Sequence, residues 1–353
     1  MPAPETVPTI LWFRHALRLD DNRLLHAADK LRGPVRLVWI LPPRLARTSS
    51  FGLPRIGPHR IRALSHALAG FCRDLEGAGF KLELLAGNPA VLIPGLIAEF
   101  GAGKGGGRLV TESLPFPEEE AELAQVRSVL PADWNTVLVE QAPLIEPESL
   151  GFDPGAVRGS FTGFRKRVER TLDLRDPISA PASLSTRSAA HSADDGQAAG
   201  AIGSWMGAEL ASIAAAAGED LDALGPYFQS GIADPRSAIP DRWDESAARA
   251  RLADYIHGRR LVRRYKRTRN GLLGADYSSK LSAFLALGTL SPRRIMAELQ
   301  SHEREHGANE STYWLFFELL WRDYFYYLMR NHGSALFQSR GLKPVSPPWQ
   351  IQP

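Results

Sequence analysis

Cysteine is all but absent: Cys72 is the only one among 353 residues. A lone thiol excludes an internal disulfide and a cysteine-built metal centre, and no metal site is expected. The same scarcity suits a reducing compartment. No apolar run approaches the roughly 20 residues that a membrane-spanning helix requires, so none is expected. The opening MPAPETVPT has no basic stretch ahead of an apolar core. No secretory leader is therefore expected, and the chain is assigned to the cytoplasm. A large excess of one charge is missing too: the net charge is +3 and the pI near 9.0, a weak pointer to nucleic acid. The turn after the first strand-like run reads WFRHALRLDDN (12–22), with no GxGxxG, so no nicotinamide cofactor is placed there. Arg14, Arg18 and Asp21 in that turn read as a salt-bridged turn.

What is present begins with an alternation of strand and helix signals over residues 1–141. TILWF (9–13), PVRLVWIL (34–41), KLELLAG (81–87), RLVTE (108–112) and TVLVEQ (136–141) read as strands. Between them fall helical spacings over 23–31, 58–76 and 118–130, and one helix opening at Asn88-Pro89 and stopping near Gly101. Single helices between strands imply right-handed crossovers and a doubly wound, parallel, five-stranded α/β domain. Residues 142–204 are rich in Pro, Gly, Ser and Ala and read as a connector. From 205 to 353 the strand signal disappears. Helices are expected over 244–258, 279–288, 292–306 and 311–332, an all-α domain. Ser291-Pro292 is a cap followed by proline at the first helical position, and Asp276 or Ser278 could cap the helix before it.

Three stretches could carry chemistry. RRLVRRYKRTRN (259–270) holds six Arg and one Lys. It is either a solvated helix face or a patch that contacts a nucleic-acid backbone without reading sequence. ADYSSKLSAFLALG (275–288) gathers hydroxyls, an ammonium and free backbone N–H groups at a helix start. That is the chemistry of a phosphate seat, or an ordinary polar cap. STYWLFFELLWRDYFYYLMRN (311–331) is a greasy helix with Glu318, Arg322 and Asp323 inside it. Trp314, Glu318, Trp321, Arg322 and Phe325 share one face. Glu318 and Arg322 are either an i,i+4 ion pair or part of a pocket floor where a tryptophan stacks on bases and a carboxylate bonds a base edge. Phe316, Phe317, Tyr326 and Tyr327 read as core.

Together LWFRHALRLDDN (11–22), FTGFRKRVE (161–169), YKRTRNGLLGADYSSKLSAFLALGTLSPR (265–293) and ESTYWLFFELLWRDYF (310–325) resemble the cryptochrome/photolyase family, most closely its DASH branch. The resemblance implies FAD in the helical domain and light-driven splitting of cyclobutane pyrimidine dimers in single-stranded DNA, a carbon–carbon lyase reaction of the photolyase type. It implies that Tyr265, Ser278, Ser279, Lys280, Leu281, Ser282 and Arg322 hold the flavin. By the same likeness Glu318 and Trp321 face a flipped dimer, Arg269 contacts the DNA backbone, and Trp349 belongs to an electron-transfer chain. It also implies a 5,10-methenyltetrahydrofolate antenna, with Glu118, Glu119 or Glu120 as its carboxylate. Family chains run on past Trp349, so the resemblance further implies a C-terminally truncated, monomeric chain that binds FAD poorly. A blue-light photoreceptor without repair and a flavin-free DNA-binding fragment are the alternatives.

Overall fold

The computed structural model of the protein describes residues 7–29, 33–49, 52–53, 55–100, 106–180, 195–216, 241–271, 274–338 and 341–342. Its sheet comprises β1 (Thr9–Phe13), β2 (Val35–Leu41), β3 (Leu82–Ala86), β4 (Gly107–Glu112) and β5 (Trp134–Val139), all parallel, in the order β3-β2-β1-β4-β5. The doubly wound expectation is met, and each strand falls within two residues of its sequence reading.

The sheet is covered on both sides, which is why its central strands are unbroken apolar runs and not alternating ones. Leu11, Phe13, Leu37, Trp39 and Leu41 face one helical layer, while Ile10, Trp12, Val38 and Ile40 face the other. The first layer holds α1 (Arg23–Asp29) and α2 (Pro58–Gly77), and the second α3 (Pro89–Glu99) and α4 (Pro117–Val129). Asn88 caps α3 by accepting from the Ala90 N–H, with Pro89 at the first position, as expected.

The connector contains more structure than its composition announces. Residues 142–180 bury Leu144, Ile145, Leu150 and Val157, and α5 (Phe161–Thr171) adds Phe161, Phe164 and Val168 to the core of the helical domain. A 22-residue helix, α6 (Asp195–Ala216), crosses the expected boundary at 204/205 and returns to the α/β layer. It packs on α2 and buries Met206, Leu210 and Ala214 in the sheet's core. Small residues permit the approach: a Cβ on Gly203 would stand 3.2 Å from the Ser65 hydroxyl.

The helical domain contains α7 (Glu245–Ala253), α8 (Tyr265–Thr268), α9 (Ser282–Leu287), α10 (Pro292–His306) and α11 (Glu310–His332). Ser291 caps α10 through the Arg293 N–H, as read from the sequence. The helix expected over 279–288 begins only at Ser282, because Lys280 takes a left-handed conformation (φ 59°). Neither Asp276 nor Ser278 caps it: Leu281 holds the cap position without a side-chain bond, and Asp276 pairs with Arg259 at 2.6 Å.

Domain and connector are joined through a buried ionic seam. Asp21, fully buried and at φ 51°, accepts from Arg293 Nε at 2.7 Å, from Arg175 at 3.0 Å and from the Ser291 hydroxyl. Burial opposes its ionisation, but Arg293 leads the partners that hold its pKa below the usual carboxylate range. Arg18 donates to the carbonyls of Asp20, Asp21 and Gly288, and burial lowers its pKa to about 10, still protonated at neutral pH. The salt-bridged-turn reading holds for Arg14 and Asp21, whose ionic partners Glu122, Arg175 and Arg293 are far away in the chain, but not for Arg18, which among the described residues bonds only carbonyls.

Candidate functional site

Sequence direction reverses between β1 and β4, the place where doubly wound sheets bind ligands. Here the anion seat at the end of β1 is filled from within. The Glu112 carboxylate accepts the backbone N–H groups of Arg14, His15 and Ala16 at 2.8, 3.0 and 2.7 Å. A side-chain carboxylate thus occupies the position that a glycine-rich loop would offer to a pyrophosphate. Two cavities open around this point. One, of about 440 Å³, is walled by Trp12, Trp39 and Trp243 with Arg14, Arg44 and Glu122. The other, of about 540 Å³, lies between the sheet end and the helical domain and is lined by Glu112, Leu285, Arg322, Phe325 and Tyr326.

Helix α11 supplies the rest of the candidate site. Asn309 starts it with a capping box, accepting from Ser311 and Thr312 N–H while the Thr312 hydroxyl accepts from the Asn309 N–H. Trp321 stacks on Phe161 with ring centroids 3.7 Å apart and planes 10° apart, and on its other neighbour Phe325 at 5.6 Å. Trp314 stacks on Phe317 at 4.6 Å. Phe325 is 57% exposed, so the aromatic row opens to solvent at that end. Phe316, Tyr326 and Tyr327 are buried as core, and Phe317 packs partly buried against them.

The charges on α11 separate into two groups. Glu318 does not pair with Arg322; its partner is Arg269, brought in by the segment after α8. Arg269 and Lys266 also lie over the Trp314 ring, at 5.3 and 4.8 Å from its centroid. The buried Trp314 indole N–H has no acceptor among the described residues. Tyr265 is buried beside this pair, and burial, then the Glu318 charge, pushes its pKa up to about 12. On the opposite side Arg322 donates to the Ala142 carbonyl, and Asp323 accepts the Leu144 and Ile145 N–H groups at 2.9 and 2.8 Å. Asp323 is fully buried; desolvation outweighs Arg322 and the two amides and raises its pKa to about 6. Charge on a greasy helix thus has separate uses: the half-buried Glu318 lies beside the aromatic row, while the buried Asp323 anchors the connector.

The segment Ser278–Ser282 is held from behind. Arg251 donates to the carbonyls of Ala275, Ser278 and Ser279 at 2.6, 3.1 and 3.0 Å. With its carbonyls turned to Arg251, the loop leaves the Ser278, Ser279 and Lys280 N–H groups without an acceptor among the described residues. Donors with an adjacent ammonium suit a phosphate group. No hydrogen bond or ion pair joins this segment to Arg322, which lines the 540 Å³ cavity instead.

Of the predicted site residues, Tyr265, Arg269, Glu318 and Trp321 come together on one side of α11, Ser278–Ser282 form a separate loop, and Trp349 lies outside the described residues. Glu118 and Glu119 are bound by Arg44, Arg55 and His15. Burial works against the Glu119 charge, yet the His15 ring, 3.7 Å away, and Arg44 bring its pKa down to about 2. Glu120 is exposed and Glu122 is the carboxylate that reaches a cavity. Sequence reasoning gave no role to Arg251, Phe161, Glu112 or Asp323. Asp323 carried a signal, as a charge inside an apolar helix, and Phe161 carried one only as the first residue of FTGFRKRVE. The reading of no metal site also passed over HEREH (302–306), which has the His-Glu-x-x-His spacing of zinc helices. His302 there is fully buried with neither ring nitrogen hydrogen-bonded to a described residue, between His257 and His306 at centroid distances of 5.9 and 4.8 Å. Among the described residues no group of three or more ligands assembles into a metal site.

Comparison with known proteins fits this geometry. The DNA photolyase family model matches residues 9–182. The chain is 35% identical over 348 residues to the Cryptochrome DASH of Gloeobacter violaceus, covering 98% of this chain and 63% of that one. It is 33% identical to the Cryptochrome DASH of Natronomonas pharaonis, covering 96% and 66%. The crystal structure of Synechocystis cryptochrome superposes with a TM-score of 0.80 at 30% identity, over 99% of this chain and 67% of that one. A class III photolyase from Agrobacterium tumefaciens shares the fold at a TM-score of 0.66 and 23% identity. The chain therefore spans between 63% and 66% of the length of these two curated relatives. Among the described residues no helix is long and apolar enough to cross a membrane.

Proposed function

The chain belongs to the cryptochrome/photolyase family, within its DASH group, and from that premise we propose that it splits cyclobutane pyrimidine dimers in single-stranded DNA under blue light, using FAD. One observation carries the reading. An open aromatic row, Trp314, Trp321 and Phe325, lies beside a carboxylate, Glu318, and two cations, Lys266 and Arg269. Rings that stack on bases, an acceptor for base N–H groups and cations for backbone phosphates are what a splayed nucleotide needs.

The loop donors fit the cofactor's phosphates: Ser278, Ser279 and Lys280 offer free N–H groups, the Lys280 ammonium adds charge, and Ser282 offers a hydroxyl. Leu281 ties this loop to the core of the helical domain, in which Tyr265 is also buried. Bound there in its reduced form, a flavin would supply the light-driven electron that opens the cyclobutane ring. Trp321, held between Phe161 and Phe325, lines the seat of the dimer and excludes water there. Glu318 accepts from the pyrimidine N–H groups and keeps the dimer oriented while its bonds open. Arg269 positions Glu318 through their ion pair and neutralises an adjacent phosphate. The cavity of about 440 Å³ with three tryptophans is of a size and polarity for an antenna chromophore such as 5,10-methenyltetrahydrofolate.

The test is repair of dimer-containing oligothymidylate by the chain supplemented with FAD and a reductant, assayed as dimers lost on blue illumination. Light-dependent loss that disappears in Trp321→Ala and falls in Glu318→Gln is the expected result. Unchanged dimers in the light, with flavin bound and reduced, would refute repair and favour a photoreceptor.

A further inference from the structure

The basic run 259–270 divides in space. Lys266 and Arg269 turn to the aromatic row, whereas Arg259, Arg260, Arg263, Arg264 and Arg267 surround a separate, strongly polar cavity of about 500 Å³. Of the five guanidiniums there, Arg259 is already bound by two carboxylates, Asp276 in the cavity wall and Asp254 beside it, each at 2.6 Å, which leaves four without a carboxylate partner among the described residues. Arg263 spends its donors on the carbonyls of His306 and Gly307, at 2.9 and 3.0 Å, so its charge is not cancelled. Arg260, Arg264 and Arg267 are exposed and form no ion pair with any described residue. Arg260 adopts a left-handed conformation, φ 49°, which an arginine enters at a cost and which starts the 3₁₀ turn Leu261–Arg264 around the cavity.

We propose that this arginine cavity is a second, sequence-independent phosphate site that holds the backbone of the same single strand beside the base-stacking row. The proposal rests on the reading of that row as a nucleotide platform. Concentrated like charge costs free energy unless a polyanion neutralises it, and guanidiniums suit phosphate oxygens. Continuity favours a nucleic-acid strand: Arg264 and Arg267 share the short helix α8 and its flanks with Lys266 and Arg269, less than two turns or about 8 Å along the axis. A membrane surface is disfavoured because, among the described residues, the one apolar residue in the cavity wall, Leu261, is buried and offers no anchor.

The experiment measures binding of fluorescent oligothymidylate, with and without a dimer, by anisotropy from 50 to 200 mM salt. It compares the wild type with Arg260→Gln/Arg264→Gln/Arg267→Gln and the matching triple Lys variant, with circular dichroism melts to verify folding. For three phosphate contacts to a single strand, the log–log salt slope of the Gln variant should be shallower by about 2. Its affinity at low salt should fall on the order of tenfold, equally with and without the dimer, and the Lys variant should keep the slope. An unchanged slope in the folded Gln variant, or a Lys variant as impaired as the Gln one, overturns the proposal. So does loss of binding to phosphatidylserine vesicles with strand binding intact. Dimer preference reports the stacking row separately: its absence from all three proteins would sink that reading, while the slope comparison still decides this one.

Discussion

Gly288 joins α9 to α10 at φ 73°, directly against the turn after β1. A Cβ there would lie 1.4 Å from the His15 carbonyl oxygen and 2.9 Å from the Ala16 Cα, both backbone atoms that no rotamer change can move. Gly288→Ala therefore forces the two domains apart. The left-handed conformation costs an alanine about 1–2 kcal/mol. Overpacking against backbone adds about 1–3 kcal/mol. Separation also weakens the Arg18 bond to the Gly288 carbonyl, a charged hydrogen bond of about 1.5–3 kcal/mol. The total, about 4–8 kcal/mol, is comparable with the roughly 5–15 kcal/mol that holds a typical domain folded. Gly79 is the control, with φ 84° and nothing within 4 Å of the added Cβ, so Gly79→Ala carries only the conformational cost. Urea unfolding followed by tryptophan fluorescence compares them. Gly79→Ala should lose about 1–2 kcal/mol, and Gly288→Ala should lose at least twice that or fail to accumulate folded. Equal losses would show that the seam yields easily, and the argument for a tight backbone contact would be wrong.

Other outcomes follow from the same contacts. Asp323 has its pKa raised from 3.8 to about 6, so its stabilising contribution is complete below pH 4 and is lost as pH rises through 6. The unfolding free energy of the wild type relative to Asp323→Asn should therefore drop by about 2.4 kcal/mol between pH 4 and pH 7, and a flat difference would refute the shift. Trp321→Ala should cost about 1–3 kcal/mol of single-strand binding without altering the salt slope, read by anisotropy at two ionic strengths. Lys280→Gly relieves a left-handed lysine and should stay within about 1 kcal/mol of wild-type stability while binding FAD more weakly, measured by flavin fluorescence quenching. Because Phe325 on the aromatic face is 57% exposed and Phe337, in the turn after α11, is 72% exposed, flavin should elute substoichiometrically from gel filtration; stoichiometric retention would contradict this.

Legibility varied with the range of the forces involved. Strands buried on two faces announce themselves as apolar runs, and caps such as Asn88 and Ser291 are local chemistry, so both were visible in the chain. Helix α6 was not, since alanine and glycine give little apolar contrast and its burial depends on how closely α2 approaches. The Glu318 ion pair shows the same limit. Spacing on one helix offered Arg322, but Arg269, from another segment, takes the carboxylate. The aromatic row was legible as a helix face; its support by Phe161 and the bracing of the Ser278–Ser282 loop by Arg251 are contacts between distant segments, which periodicity does not encode.

The return of α6 to the sheet bears on the order of synthesis. The last strand ends at Val139, yet the helix that completes the α2 face ends at Ala216. At a translation rate of about 5–20 residues per second, the α/β layer waits roughly 4–15 s between its final strand and its final helix. During that interval the groove that receives Met206 and Leu210 stands open, and α5 is already emerging. A nascent chain paused before residue 195 therefore presents a greasy face to chaperones, and an excised fragment ending there would aggregate where the longer chain folds.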